Sequence, residues 1–198
     1  MSLEEGVDLK KRRFLTVGTA VVGAIGAGFA AVPFIASWNP SERAKALGAP
    51  EEADITNLEP GALLRVKWRG KVCWVVNRTE QNIADLETLT DKLADPNSEV
   101  PQQPPYAQNE TRSIKPEYAV LVGICTHLGC SPTYRPEVAP ADLGDDWKGG
   151  FFCPCHGSSF DLAGRVYKSV PAPTNLVVPP HQYLSENVIL IGVDGGAA

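Results

Sequence analysis

The chain has 198 residues, of which 43% are hydrophobic and 21% charged. That is enough for one good core plus an accessory element, in a composition that suits a globular protein. A net charge of -5 with no basic patch excludes nucleic acid as a partner, since its binding leans on clustered Lys and Arg.

The first element in chain order is apolar. Phe14 to Trp38 runs 25 residues without a charge. A helix of that length spans about 37 Å, more than the roughly 30 Å of a bilayer's hydrocarbon, so residues 14–38 are predicted to form one transmembrane anchor. Lys10, Lys11, Arg12 and Arg13 precede it and Asn39-Pro40-Ser41-Glu42 follows. The positive-inside rule then puts residues 1–13 in the cytoplasm and everything after residue 40 outside. A cleaved signal is the alternative, but its apolar core is usually about 7 to 15 residues, ahead of a small-residue cleavage site. Lys11-Arg12-Arg13-Phe14-Leu15 also looks like a twin-arginine export signal, a route for a domain that is already folded. Gly18, Gly23, Gly26 and Gly28 among alanines give a surface that other transmembrane helices can approach closely.

Residues 39–50 are polar and Ala-rich, bracketed by Pro40 and Pro50, and read as a flexible tether. The head, 51–198, opens with β-prone runs: Leu63 to Trp68 and Val72 to Asn77 flank Gly70-Lys71, a predicted hairpin turn. Thr79 is a cap for a short helix, because Ile83, Leu86 and Leu89 or Leu93 recur at helical spacing before Asp95-Pro96 stops it. Residues 95–117 hold five prolines and few apolar side chains, which predicts a long surface loop. Tyr118 to Ile124 is read as a strand. Leu176 to Val178 and Val188 to Val193 are expected to close the sheet. Cys73 reads as a buried small hydrophobe, and His181 as a surface residue.

Two boxes hold four of the five cysteines and two of the three histidines: Cys125-Thr126-His127-Leu128-Gly129-Cys130 and Cys153-Pro154-Cys155-His156-Gly157-Ser158. Two thiolates and two neutral imidazoles are what a mixed-ligand 2Fe-2S cluster requires, sulfur on one iron and nitrogen on the other. Zinc takes the same four donors. A four-ligand zinc site would leave a second cysteine of each box idle, whereas in an exported domain Cys130 and Cys155 can pair as a disulfide. Closing a loop of about 25 residues contributes roughly 3 to 4 kcal/mol on the chain-entropy model. Gly and Pro in both boxes suit loops whose amides turn towards cluster sulfurs.

C-T-H-L-G-C with C-P-C-H-G-S resembles the Rieske iron-sulfur subunit of the bacterial cytochrome bc1 complex, the ubiquinol-cytochrome c reductase. The likeness takes in the anchor with its export signal, the tether, the Trp68-Arg69-Gly70-Lys71 region, both boxes and Pro171-Ala172-Pro173. It implies a mainly β chain: an antiparallel β-sandwich head with a small cluster-binding subdomain at about 123–173, plus the N-terminal transmembrane helix. By this similarity one 2Fe-2S cluster is held by Cys125 and Cys153 on the buried iron and His127 and His156 on the outer one, and Cys130–Cys155 is the disulfide. His156 then takes the hydrogen bond and proton of ubiquinol at the cytochrome b site. The electron passes to cytochrome c1, in the respiratory chain's build-up of proton-motive force. Leu128 shields the cluster, Ser158 donates to a bridging sulfide, and Pro171 belongs to the covering loop.

Phe160 stands where many high-potential members carry a tyrosine, and Val170 where Gly-Pro-Ala-Pro is usual; the first departure implies a lower potential. The implied setting is a bacterial inner membrane with the head in the periplasm, in a complex with cytochrome b, cytochrome c1 and lipid that is dimeric. The chain works as an enzyme only as a subunit of that translocase. The alternative is the small Rieske subunit of a periplasmic oxidase such as arsenite oxidase. A Rieske ferredoxin or oxygenase component is disfavoured by the extra cysteine pair and the anchor.

Overall fold

A computed structural model of the chain describes residues 8–195. Of the segment 1–13 expected in the cytoplasm, residues 1–7 lie outside it. Helix α1 (Leu9–Ala36) starts before the apolar run, takes in the four basic residues, and is capped by the Asp8 carboxylate, which accepts from the Lys10 and Lys11 amides. By length and composition it can cross a membrane, and none of its residues is buried. A second helix, α2 (Glu42–Leu47), occupies half of the stretch read as a tether. The chain divides into two units, Met1–Ala46 and Leu47–Ala198.

The head is built from three antiparallel sheets of three strands each. The strands are β1 (Glu51–Asp54), β2 (Leu63–Trp68), β3 (Lys71–Asn77), β4 (Tyr118–Val122), β5 (Thr133–Arg135), β6 (Gly150–Cys153), β7 (Ser158–Asp161), β8 (His181–Ser185) and β9 (Val188–Ile191), with helix α3 (Glu80–Thr88) after β3. Their orders are β1-β9-β8, β2-β3-β4 and β5-β6-β7.

The sheet containing β3 is covered on both faces, because alternate residues of a strand point to opposite sides. Trp74, Val76, Ala119 and Leu121 face one core with Phe151, Cys153 and Phe160 of β6 and β7. Cys73, Val75, Val120 and Val122 face the other, with Ala53, Ile189 and Ile191 of β1 and β9. A strand buried on both faces reads as an unbroken apolar run, which is why Val72 to Val76 shows no polar alternation. Cys73 is fully buried as expected, and burial pushes its thiol up to about 11.

Several expectations shift. The hairpin turns one residue early: Trp68 pairs with Lys71 around Arg69 and Gly70, both at positive φ of 49° and 72°, as a two-residue I′ turn requires. Helix α3 begins after its N-cap Thr79, in a capping box with Asn82, but ends at Thr88 with Leu89 as its C-cap, well before Asp95-Pro96. Leu176 to Val178 is not a strand, although the Val122 amide donates to the Val177 carbonyl at 2.8 Å. Residues 95–117 are not a surface loop: Ser98, Ala107, Arg112 and Ser113 are buried. His181 is buried at 1% exposure. Its Nδ1 lies 2.8 Å from the Pro179 carbonyl, and the Tyr106 hydroxyl bridges its backbone.

Candidate metal centre

The boxes are the loop after β4 and the turn between β6 and β7, so strand ends buried in one core aim both at the same place. Each is bent in the same way. The Gly129 amide donates to the Cys125 carbonyl at 3.1 Å and the Gly157 amide to the Cys153 carbonyl at 2.9 Å, four residues back in both cases. Both glycines sit at positive φ, 86° and 77°, which an L side chain resists. Each turn therefore places its cysteine at the inner end and its histidine near the outer bend. The Cys125 amide also donates to the Cys130 carbonyl at 2.7 Å, closing the first loop on itself.

Burial sorts the four donors into two kinds. Cys125 and Cys153 are each 2% exposed, while His127 is half-buried and His156 exposed. The imidazoles meet edge to face with ring centroids 4.8 Å apart. Burial is the largest influence on the Cys153 thiol and raises its pKa; the backbone N–H groups of Cys155 and His156 oppose it, and the neighbouring Cys125 thiol raises it further. Amide donors at a buried sulfur favour the thiolate, the form that binds metal.

Cys130 and Cys155 form the disulfide, joining the two loops across a sequence separation of 25. The sulfurs of Cys130, Cys153 and Cys155 lie within 4.8 Å of one another, but two of these are oxidised to the bridge and only Cys153 keeps a thiol. The free donors are thus two buried thiols and two imidazoles further out. That set fits a mixed-ligand 2Fe-2S cluster, whose two irons take different ligand types.

A third segment braces the boxes. The Thr126 hydroxyl donates to the Thr174 carbonyl at 2.7 Å, and the Ala172 amide donates to the Ser158 hydroxyl at 3.0 Å. Pro171-Ala172-Pro173 is thereby fastened to both loops, and Ser158, fully buried, keeps its own proton free to donate. Pro171 itself is exposed. Leu128 is 71% exposed, so it is not a core residue; Phe160 is fully buried in the core that contains Cys125 and Cys153.

Sequence reading missed Gly129, Gly157 and Thr126. The repeated Cys-x-x-x-Gly spacing was the available signal for the glycines; Thr126 had none, since its acceptor lies 48 residues away.

Comparison with known proteins matches residues 52–180 to the "Rieske [2Fe-2S] domain" and residues 1–41 to the "Ubiquitinol-cytochrome C reductase Fe-S subunit TAT signal". The chain is 68% identical over 194 residues to the ubiquinol-cytochrome c reductase iron-sulfur subunit of Allochromatium vinosum, covering 98% of this chain and 94% of that one. The subunits of the same name from Blastochloris viridis and Rhodospirillum rubrum are 40% identical over 192 residues and 38% over 188. These cover 97% and 94% of this chain, and 98% and 94% of theirs. The export-signal match and helix α1 together fit a membrane-anchored, exported subunit.

Proposed function

The chain belongs to the family of ubiquinol-cytochrome c reductase iron-sulfur subunits, and from that premise we propose that Cys125, Cys153, His127 and His156 are the ligands of its single Rieske-type 2Fe-2S cluster and that His156 meets the quinol. When bound, the cluster supplies one-electron chemistry at about -150 to +300 mV, carrying an electron from quinol at the cytochrome b site to cytochrome c1.

The chain's own residues do the rest. Cys125 and Cys153 would hold the inner iron in a core from which water is excluded. His127 and His156 would hold the outer iron where a substrate can reach it. The ring nitrogen of His156 that iron would leave free can accept the quinol hydrogen bond and take the proton only when it has given up its own N–H, a loss that a more positive metal favours because a metal-bound imidazole changes its proton affinity with the metal's charge. Leu128, 71% exposed, offers an apolar surface for the quinol ring. The disulfide and the Pro171-Ala172-Pro173 segment keep the two loops in register.

The working protein is then a subunit of an oxidoreductase that translocates protons, assembled with cytochrome b and cytochrome c1 in a dimeric complex in the lipid bilayer. Its N-terminus is cytoplasmic and its head periplasmic, as the four basic residues before the apolar run indicate. The family match over nearly the full length of relatives with that name favours this reading over a periplasmic oxidase subunit.

The observation that carries the reading is the convergence of two buried thiols and two outer imidazoles on loops tied by a disulfide. Electron paramagnetic resonance of membranes containing the full chain tests it. A reduced 2Fe-2S signal that shifts when a quinone-site inhibitor is added is the expected result, with cytochromes b and c1 in the purified complex. A colourless, zinc-loaded protein overturns the cluster assignment, and co-purification with a molybdenum subunit overturns the quinol assignment.

A further inference from the structure

Among the described residues, the buried side chains that bear a full charge at neutral pH are Arg78, Arg112, Arg165 and Asp161, each at 2% exposure or less. Three cations face one anion. Arg165 and Asp161 form a closed pair, with Nε donating to Oδ2 at 2.7 Å, while the Asp161 Oδ1 also accepts from the Ala163 and Arg165 amides. Arg78 and Arg112 have no such partner. Arg112 donates to the carbonyls of Ala163, Gly164 and Leu176 and to the Gln103 side chain. Arg78 donates to the carbonyls of Thr111, Pro116 and Leu162 and to the Ser113 hydroxyl. Carbonyl dipoles solvate these guanidiniums without cancelling their charge. Burial lowers both pKa values to about 10, so both remain protonated at neutral pH. Asp95 and Glu117 act on them from partly and fully solvated positions, where water screens a charge.

This excess of positive charge lies at the inner end of the strand that leaves the second box. β7 begins at Ser158 and ends at Asp161, and three residues of strand span only about 10 Å. Arg112 grips the turn that follows it. Two ferric irons, two sulfides, two thiolates and two neutral imidazoles sum to no net charge, so one electron added without a proton leaves the reduced set at minus one. A fixed buried cation behind the strand favours the reduced form, in a region where water does not dilute the field.

We propose that Arg112 and Arg78 raise the midpoint potential of the cluster by their uncompensated buried charge, acting at a distance rather than by contact. This rests on the ligand assignment above.

The test is a redox titration of the full chain in its complex, followed by the electron paramagnetic resonance signal. Arg112→Gln removes charge but keeps a donor and should lower the potential, and Arg112→Lys should restore it. Asp161→Asn removes the one buried anion and should raise the potential. A merely structural disturbance has no reason to give opposite signs. The shifts should persist at high salt, and the exposed Arg65→Gln should give little shift at any salt. Where Arg112→Gln does not retain the cluster, Arg78→Gln provides the same reading. Shifts of the same sign in Arg112→Gln and Asp161→Asn, or none, with the cluster signal intact, overturn the proposal. Absence of the signal in the unmodified protein overturns the ligand assignment instead.

Discussion

Strand β3 and the two box loops hold their shapes by opposite means. β3 is buried on both faces and takes its stability from apolar area, with Trp74 stacked on Phe151 at 4.7 Å between ring centroids. The loops expose His156, Leu128 and Cys155 and bury little besides two thiols. Two glycine turns, one disulfide and two side-chain links to the Pro171-Ala172-Pro173 segment stand in for a core. A site that must meet a substrate cannot be covered, so its geometry has to be fixed by covalent and directional bonds. Such a region can lose function without losing the fold, whereas the strand behind it cannot.

The largest effect should come from the loops. His156→Ala removes one of the four proposed ligands and should abolish both the cluster signal and quinol oxidation, while far-ultraviolet circular dichroism stays that of the folded head. Normal quinol oxidation without a cluster would sink the scheme. In the strand, Trp74→Ala leaves a cavity against Phe151 and should cost about 3–5 kcal/mol, measured by denaturant unfolding. Cys130→Ser comes next: opening a loop with a sequence separation of 25 should cost roughly 3 to 4 kcal/mol, and the reduced unmodified protein should show the same loss. Equal stability of the oxidised and reduced forms would show that the bridge does not hold the loops.

How much of this could be read beforehand follows the same division. The boxes, α1 and the apolar run of β3 were legible because each is a local pattern: donor spacing, length without charge, or unbroken hydrophobicity. The donors' exposure order was legible only through family resemblance. The burial of Arg112 was not, since its acceptors Ala163, Gly164 and Leu176 lie 51, 52 and 64 residues away and arginine is normally a surface residue. His181 failed for the same reason: its cover comes from Tyr106, 75 residues distant. Proline-rich composition suggested a solvated loop over 95–117, but that segment closes over the core and donates its arginine to it.

A smaller effect tests how closely the loops depend on the core beneath them. Phe160 is fully buried in the core that contains Cys125 and Cys153, the two proposed ligand cysteines, so Phe160→Tyr adds a hydroxyl where no water can serve it. Such a group seeks an acceptor, and a donor to a ligand sulfur favours the reduced, more negative cluster. The midpoint potential should therefore rise. Overpacking should cost stability of about 1–3 kcal/mol at most, and an unchanged or lower potential would mean that the hydroxyl does not reach the sulfur.

The last effect is a slope rather than a step, and it belongs to the base of the head. The Pro179 carbonyl can only accept, so the 2.8 Å contact fixes the proton of His181 on Nδ1. Its Nε2 is then bare, buried and without a hydrogen-bond partner in the described structure. Burial lowers the pKa below 6.5, opposed by the Pro179 contact and by Asp194. The unfolded chain therefore binds the proton more readily than the folded one, and stability rises with pH wherever that is so. The contribution is complete above the unfolded value near 6.5 and declines as pH falls below it, until the folded group titrates too. Thermal unfolding of the full chain from pH 7.5 to 5.5 should show a falling midpoint, and His181→Phe, which cannot titrate, should flatten that fall. Because the two proteins differ at His181 alone, the difference between the two slopes isolates it, and parallel slopes would remove it as the cause.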